Sequence, residues 1–335
     1  MLSLLASLLL AVTPETPEPV PAKPLELRGV TLSGPEFAKK ALPGIEGKHY
    51  HWPAAPEAEE FRRAGMNLIR LPFRWERLQP QPGGEFDPGY HAKLSATVRS
   101  FRAQGFEVLL DCHNYARHGD QVLGGALADG AFADLWRRLA SEFKDDPHLR
   151  FGLMNEPHGL KSEDWVRAAN AAIAAIRATG AKQAVFVCGN AWSGAHSWNA
   201  KWYGTPNAVA MLEVKDPADN IVFEVHQYLD RNGAGQKPDC ASPEVGVEAL
   251  QGFTTWLKQH KKRGFLGEFG GAVSPNSREA IDAMLKHMEE NPEVWAGWAW
   301  WGGGQAWNPD YLFRLSSDRD GKAAPQMDWL KPHLR

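Results

Sequence analysis

Short segments rich in β-branched and aromatic residues alternate with longer amphipathic segments from about residue 25 onward. The short segments end in polar residues or glycine, which is typical of strands in a parallel sheet. Eight of them are present. The pattern predicts strands at residues 27–33, 67–73, 107–113, 149–155, 184–189, 221–228, 264–269 and 294–301.

The longer segments carry apolar residues at spacings of three and four, so each forms one apolar stripe on a polar helix. Such a stripe has to be buried, and a parallel sheet is its natural partner. The clearest stripes are Phe132, Leu135, Trp136, Leu139 and Phe143; Trp165, Ala168, Ala169, Ala172, Ile173 and Ile176; Leu250, Phe253 and Leu257; and Ile281, Met284, Leu285 and Met288.

Eight strands that alternate with helices fit either a closed barrel or a doubly wound open sheet. The open sheet usually has a glycine-rich phosphate-binding loop after its first strand, and Gly29, Gly34 and Gly44 do not form that fingerprint. Polar residues instead follow the C-terminal ends of many strands, where a barrel has its active site. We therefore predict a single-domain α/β protein, a (β/α)8 TIM barrel over residues 25–335.

The N-terminal residues differ from the rest of the chain. Residues 1–12 are apolar, too short to span a bilayer, and fit the core of a signal peptide, although they lack a basic n-region. The alternative is a short apolar segment packed on the domain. Residues 13–24 contain five prolines and are typical of an extended linker. We expect a secreted or periplasmic protein.

Composition excludes several functional classes. A formal net charge of -3 gives no electrostatic reason to expect a nucleic-acid partner. Three Cys residues form no metal-binding spacing, and we expect free, mostly buried thiols with at most one bridge. The 14 Trp residues are many; we expect most of them to pack in the core and some to stack on sugar rings.

Two glutamates stand near the ends of predicted strands. Asn155-Glu156-Pro157 follows the fourth strand, and Pro157 disfavours helix at Glu156. Glu268 lies near the end of the seventh strand among glycines that allow close approach of a substrate. In a barrel these positions face each other, and a pair of carboxyl groups is what glycoside hydrolysis requires. Unrelated surface salt bridges are the alternative.

Other strand ends add polar and aromatic side chains: Arg70, His113, Asn114, His226, Tyr228 and Trp301. A metal site of His113, His226 and Asp111 is an alternative, but its spacing matches no known motif. A serine hydrolase is disfavoured because no Gly-x-Ser-x-Gly sequence occurs.

The motif Asn155-Glu156-Pro157, combined with Glu268 on the seventh strand, resembles glycoside hydrolase family 5, the cellulase family of retaining (β/α)8 enzymes. The resemblance covers nearly the whole chain after the linker. Segments 111–117, 192–198, 226–230 and 298–301 resemble its fungal and bacterial endo-β-1,4-glucanases. Gly302, Gly303 and Gly304 depart from that subfamily.

The resemblance implies that Glu156 is the acid/base and Glu268 the nucleophile, whose pKa we expect Arg70 and Tyr228 to lower. It implies that Asn155 binds the sugar 2-hydroxyl and that His226 lies near Glu156. His113, Asn114 and Trp301 are further substrate contacts, and Trp192 and Trp307 are candidates for flanking subsites. It implies no cofactor or metal.

The implied substrate is a β-1,4-glucan, and the implied assembly is a monomer without a nucleic-acid partner or a membrane span. β-Mannan, xyloglucan and mixed-linkage glucan remain alternative substrates. A carbohydrate-binding protein without activity is the alternative of another class.

Overall fold

The computed structural model describes residues 25–318 and 320–335. In it, eight parallel strands form a closed barrel in which each strand pairs with its neighbours in sequence and the last pairs with the first. The strands are β1 Leu27–Leu32, β2 Leu68–Phe73, β3 Glu107–Cys112, β4 Leu149–Gly152, β5 Val185–Cys188, β6 Ile221–His226, β7 Arg263–Phe269 and β8 Trp295–Gly303. The predicted TIM barrel is confirmed; the predicted signal peptide and linker lie outside the described residues.

The fourth strand is shorter than the prediction and ends at Gly152. The chain beyond it keeps hydrogen bonds to both neighbouring strands. Leu153 N donates to Phe186 O (3.0 Å), and Asn155 N donates to Cys112 O (2.8 Å). These bonds hold Asn155 and Glu156 above the barrel mouth although the regular ladder has ended.

Helices cover the outside of the barrel: α1 Ala55–Ala64, α2 Trp75–Leu78, α3 Pro88–Ala103, α4 Asp129–Phe143, α5 Ser162–Ala178, α6 Asn207–Ala210, α7 Val245–His260, α8 Pro275–Glu289 and α9 Pro325–Leu330. All the predicted stripe residues are buried. In the described chain, none of these helices has the length and apolarity that crossing a bilayer requires.

The core has two parts. A large cluster fills the space between strands and helices and includes the buried rings of Trp75, Trp136, Trp165, Trp198 and Trp298. A smaller cluster closes the barrel interior and consists of Leu27, Leu68, Leu109, Phe186, Val222, Phe265, Ala296 and Ala299. This interior layer is the floor beneath the site described next. The three Cys residues are free thiols, as predicted, and Cys240 is the half-buried one.

Candidate active site

The pleat of the strands places charged side chains directly above the apolar floor. Successive side chains of a strand point to opposite faces, so residues two apart share a face. Arg70 follows Leu68 by two positions, and Glu224 follows Val222 in the same way. The next inward position on β6 is His226. The inward side chains therefore change from apolar to charged between one layer of the barrel interior and the next.

Glu268 faces the interior because β7 contains a bulge. Val225 pairs with Leu266, but His226 pairs with Glu268, so β7 has one extra residue between these pairs. A bulge of this kind re-aims the side chains that follow it. The extra residue is Gly267, and a Cβ there would lie only 2.0 Å from Oε1 of Glu224.

Arg70 connects the charged groups of the layer. Its guanidinium is fully buried and donates to Glu268 Oε1 (2.8 Å), Asn155 Oδ1 (2.7 Å) and Glu224 Oε1 (3.1 Å). Asp111 Oδ2 lies 3.2 Å from Nη2. Burial disfavours the charged guanidinium, but the surrounding carboxylates raise the pKa of Arg70 well above its ordinary value. A buried charge of this kind requires such partners.

His226 lies between the two predicted catalytic glutamates. Its Nδ1 is 2.8 Å from Glu156 Oε1 and 3.6 Å from Glu268 Oε2. One carboxylate oxygen of each glutamate and one nitrogen of His226 lie within 4.8 Å of one another. Retaining glycosidases have carboxyl groups about 5–5.5 Å apart and inverting ones about 6.5–9.5 Å. The spacing fits a retaining pair.

The pKa of His226 is raised well above its ordinary value. Burial opposes this shift, but Glu268, the thiol of Cys188, Glu156 and Glu224 together favour the charged imidazole. Its Nδ1 then donates to Glu156, and its Nε2 donates to Glu224 Oε1 at 3.3 Å. The imidazole thus links the acid/base candidate Glu156 to Glu224.

The expected direction of the Glu268 pKa shift was wrong. Burial raises the pKa of Glu268 above its ordinary value, and the charge of Glu156 adds to this, while His226 and Arg70 lower it. Tyr228 donates to Glu268 Oε2 at 3.0 Å, as expected. Removal of water from the carboxyl group outweighs its cationic neighbours, which sequence reasoning did not weigh.

A second chain of hydrogen bonds orients Asn155. Burial lowers the pKa of His113 to about 3, so the ring is neutral. Its Nδ1 donates to Asp111 Oδ2 (2.8 Å), which leaves Nε2 free to accept from Asn155 Nδ2 (3.2 Å). The amide oxygen of Asn155 then faces Arg70. Trp301 stacks on the His113 ring with centroids 5.4 Å apart and planes 15° apart.

Glu156 has an unusual backbone conformation. Its φ is 47°, in the left-handed region that non-glycine residues rarely adopt. Its carbonyl oxygen accepts from His158 Nδ1 (3.0 Å), and the carbonyl of Pro157 accepts from Trp192 N (3.1 Å). Strain of this kind persists where the surroundings enforce it, and such sites are often functional.

Trp192 is presented to solvent by a left-handed turn. Ala191, Trp192 and Ser193 have φ values of 55°, 58° and 55°. The ring of Trp192 is 47% exposed and stacks on His158 at 4.5 Å, with Trp202 beyond it at 6.5 Å. The two tryptophan rings, together with Glu156, His226 and Tyr228, line a groove of about 360 Å³.

Trp307 lies on another side of Trp301. Its ring meets Trp301 edge-on at 5.6 Å and stacks on Tyr311 at 4.0 Å. Its Nε1 is buried and has no hydrogen-bond partner among the described residues. The assignment of Trp307 to a flanking subsite stays a prediction.

Asn114 does not join the other predicted substrate contacts. Its Oδ1 accepts from Trp75 N (2.8 Å), and its Nδ2 donates to Glu76 Oε2 (2.7 Å) and to Arg117 O (3.0 Å). The side chain is buried and its amide is occupied by these partners. Asn114 thus ties loops together, and the prediction of a substrate contact needs correction.

Sequence reasoning overlooked some residues of the site. Glu224 joins Arg70 to His226, and Tyr115 Oη lies 3.3 Å from His113 Nε2. Strand alternation could have indicated Glu224, since it precedes His226 by two positions. The alternative metal site was His113, His226 and Asp111, and these three do not form a ligand group in the described part of the chain.

The comparison with family models agrees with this geometry. Residues 26–304 match the family described as Cellulase (glycosyl hydrolase family 5). The chain belongs to this family. The family match thus spans all eight strands up to Gly303.

Similar proteins carry related names. The chain is 38% identical over 287 residues to Endoglucanase 3 of Humicola insolens, covering 85% of this chain and 71% of that enzyme. It is 35% identical to Endo-beta-1,4-glucanase B of Aspergillus niger, covering 93% of this chain and 92% of that enzyme.

Solved structures show the same fold. XacCel5A in complex with cellopentaose is 47% identical, has a TM-score of 0.91, and is matched over 92% of this chain and 99% of that chain. An endo-beta-1,4-glucanase of Xanthomonas axonopodis pv. citri is 44% identical with a TM-score of 0.91, over 93% and 99% of the two chains.

Proposed function

We propose that this family 5 glycoside hydrolase is a retaining endo-β-1,4-glucanase in which Glu156 is the acid/base and Glu268 the nucleophile. The observation that carries the proposal is the pair of carboxylates beside one imidazole, with oxygens within 4.8 Å. The short spacing supports direct attack by a carboxylate, since an inverting enzyme needs room for a water molecule between its carboxyl groups.

In the first step the carboxylate of Glu268 forms a bond to the anomeric carbon. The bond from that carbon to the glycosidic oxygen breaks, and the oxygen takes the proton of Glu156. In the second step Glu156 removes a proton from water, the water oxygen bonds to the anomeric carbon, and the bond to Glu268 breaks.

The surroundings of Glu268 support its role as nucleophile. Arg70 Nη1 and Tyr228 Oη donate to its two oxygens at 2.8 and 3.0 Å. Both bonds favour the carboxylate that attack requires, against the effect of burial. Glu156 is more open to solvent, with 18% of its side chain exposed, which suits a group that must accept a proton from incoming water.

The neighbouring residues support binding of the sugar at the cleavage point. We assign the 2-hydroxyl to Asn155, another hydroxyl to His113, and stacking of the ring to Trp301. Trp192 and Trp307 would stack on flanking sugars. A flat aromatic ring suits the apolar face of a pyranose, and its polar edge remains available for hydrogen bonds.

The substrate class rests on the relatives. Their names are endoglucanase and endo-β-1,4-glucanase, and one neighbouring structure holds cellopentaose. The exposed ring of Trp192 beside an open groove supports cleavage within a chain. We also propose that the protein is exported and acts as a monomer.

The test of substrate is hydrolysis of carboxymethylcellulose, barley mixed-linkage glucan, glucomannan and xyloglucan, followed by reducing ends and viscosity. We expect a rapid fall in the viscosity of carboxymethylcellulose. Hydrolysis of glucomannan or xyloglucan alone would change the assigned substrate and leave the proposed mechanism unchanged. Binding without hydrolysis of any of the four would contradict the enzymatic proposal.

The test of the residue roles uses alanine variants and azide as an external nucleophile, with an activated aryl cellobioside as substrate. Glu156→Ala should give the β-glycosyl azide and Glu268→Ala the α-glycosyl azide, because only the former still forms the glycosyl-enzyme. Exposed Glu279 on α8 provides the matched control, and Glu279→Ala should keep full activity. If Glu156→Ala gave the α-glycosyl azide and Glu268→Ala the β-glycosyl azide, the two residues would have each other's role.

A further inference from the structure

A thiol lies directly beside His226, and it takes part in no bond-making or bond-breaking step of the proposed hydrolysis. Cys188 is the last residue of β5 and lies two positions after Phe186 of the apolar floor. It is 2% exposed. By the alternation of the strand it occupies the same inward layer as Glu224 on the neighbouring strand β6.

Cys188, Glu224 and His226 bring together three different donor atoms. A sulfur, a carboxylate oxygen and an imidazole nitrogen of these residues lie within 4.8 Å of one another, and all three residues are buried. The oxygen and nitrogen that face each other, Glu224 Oε1 and His226 Nε2, are 3.3 Å apart. Three ligands on two adjacent strands are therefore already assembled.

We propose that the Cys188 thiolate, the Glu224 carboxylate and the His226 imidazole bind a thiophilic divalent cation such as Zn²⁺ or Cd²⁺, and that the bound cation stops hydrolysis. Binding forms metal–sulfur, metal–oxygen and metal–nitrogen bonds and releases the thiol proton and one imidazole proton to water. No electron is transferred.

One of the three spacings between ligand atoms already fits a small tetrahedral ion. Zn²⁺ bonds to sulfur at about 2.3 Å and to nitrogen or oxygen at about 2.0–2.2 Å, so neighbouring ligand atoms lie roughly 3.3–3.8 Å apart. The spacing of 3.3 Å between Glu224 and His226 already meets this requirement. Thiolate, imidazole and carboxylate are the three ligand types that Zn²⁺ takes in proteins.

The surrounding charge also favours a cation. Asp111, Glu156 and Glu268 adjoin the same layer, and Arg70 is the cation that Glu224 already binds at 3.1 Å. The four carboxyl groups of this cluster therefore outnumber its one guanidinium. Of the three proposed ligands, His226 also lines the groove beside Glu156.

Inhibition follows from the position of the ion, and this part rests on the proposed roles of Glu156 and Glu268. The cation would replace the direct contact between His226 Nε2 and Glu224 Oε1 (3.3 Å), and the same imidazole holds Glu156 at 2.8 Å. Metal binding would therefore displace Glu156 from the position in which it protonates the leaving oxygen. The ion also competes with Arg70 for Glu224.

The test is titration of the chelator-treated protein with CdCl₂, with two readouts. One is the rate of hydrolysis of carboxymethylcellulose, and the other is the ultraviolet charge-transfer absorption of a cadmium–thiolate bond. The variants are Cys188→Ala and, as the matched control, Cys240→Ala at the half-buried thiol. The rate of each variant without metal is the reference for its own titration.

We expect wild type and Cys240→Ala to lose activity over the same range of Cd²⁺ concentration, with absorption rising to one equivalent in parallel. Cys188→Ala should lose that absorption step and need at least roughly 10–100-fold more Cd²⁺, because even outer-shell partners of a metal contribute that much to affinity. If Cys188→Ala fails to fold, the nearly isosteric Cys188→Ser serves instead.

Equal inhibition of Cys188→Ala and wild type would overturn the proposal and place the ion on Glu156 and Glu268 instead. Cadmium–thiolate absorption without inhibition would overturn the inhibitory part. Since absorption is measured independently of hydrolysis, a failure of the proposed catalytic roles is distinguishable from a failure of the metal site.

Discussion

Substitution of Gly267 by alanine should disable the active site from a position that touches no substrate. The new Cβ would lie 2.0 Å from Oε1, 2.5 Å from Cδ and 2.6 Å from Cγ of Glu224. Ordinary contact requires about 3.5 Å, so the carboxylate has to move by about 1.5 Å. Glu224 cannot yield easily, because it is 2% exposed and bonded to Arg70 and His226.

The magnitudes follow from these distances. Overpacking of this kind costs about 1–3 kcal/mol in the free energy of unfolding. Since Arg70 and His226 orient Glu268 and Glu156, their displacement should lower kcat roughly 100-fold, the cost of about 1 Å of misplacement near a reaction centre. The KM should change much less, because Glu224 does not line the groove beside Glu156.

The assay is kcat and KM on a soluble cello-oligosaccharide, combined with thermal unfolding. Gly130→Ala is the matched control, because a Cβ there meets no atom within 4 Å. In Gly267→Ala/Glu224→Asp the shorter acid should recover part of the lost stability. A folded Gly267→Ala protein with wild-type kcat would refute the reasoning that Glu224 positions the catalytic pair.

Three further predictions concern pH and loop structure. In the proposed mechanism activity requires ionised Glu268. Since burial raises the pKa of Glu268, the acidic limb of kcat/KM should lie above the ordinary value of 4.5. Tyr228→Phe should move this limb higher still, because it removes a hydrogen bond to the carboxylate, and an unmoved limb would contradict the assignment. Burial raises the pKa of Glu36 from 4.5 to about 7, so the stabilisation by its protonated form is fully present below pH 4.5 and is lost as pH rises through 7. The free energy of unfolding should therefore fall by about 3 kcal/mol between pH 4.5 and 8 on account of this group. Glu36→Gln should remove this part of the fall, which urea unfolding at the two pH values would measure. Arg77 donates to the carbonyl oxygens of Pro35 and Pro43 and so holds the segment 34–50. Arg77→Met should lower the free energy of unfolding by roughly 1–3 kcal/mol for each buried carbonyl left without a donor, and it should speed proteolysis between residues 34 and 50. Unchanged proteolysis would exclude a role of Arg77 in holding this segment.

Much of the fold follows from local patterns in the sequence. The eight strands and the helical stripes were predictable because burial imposes a period of two or of 3.6 residues on any segment that packs on one face. Asn155-Glu156-Pro157 was recognisable because it follows a strand and contains a proline, which interrupts the hydrogen bonding of the sheet. Arg70, His113, His226 and Tyr228 were likewise predicted, and they meet around the glutamates.

The tertiary structure alone decided how these residues combine. Arg70 and Glu268 are 198 positions apart, and only barrel closure brings them to 2.8 Å. The bulge at Gly267 depends on pairing with both neighbouring strands, so alternation within β7 could not reveal that Glu268 faces inward.

The contacts of Asn114 and the pKa of Glu268 also depend on the tertiary structure. Asn114 follows His113 directly, yet its amide bonds to loop residues because the chain turns there. The pKa of Glu268 rises because neighbouring strands exclude water from it. The sequence by itself determined which side chains reach the barrel mouth. The closed barrel determined their distances and hydration, because both depend on residues far apart in the chain.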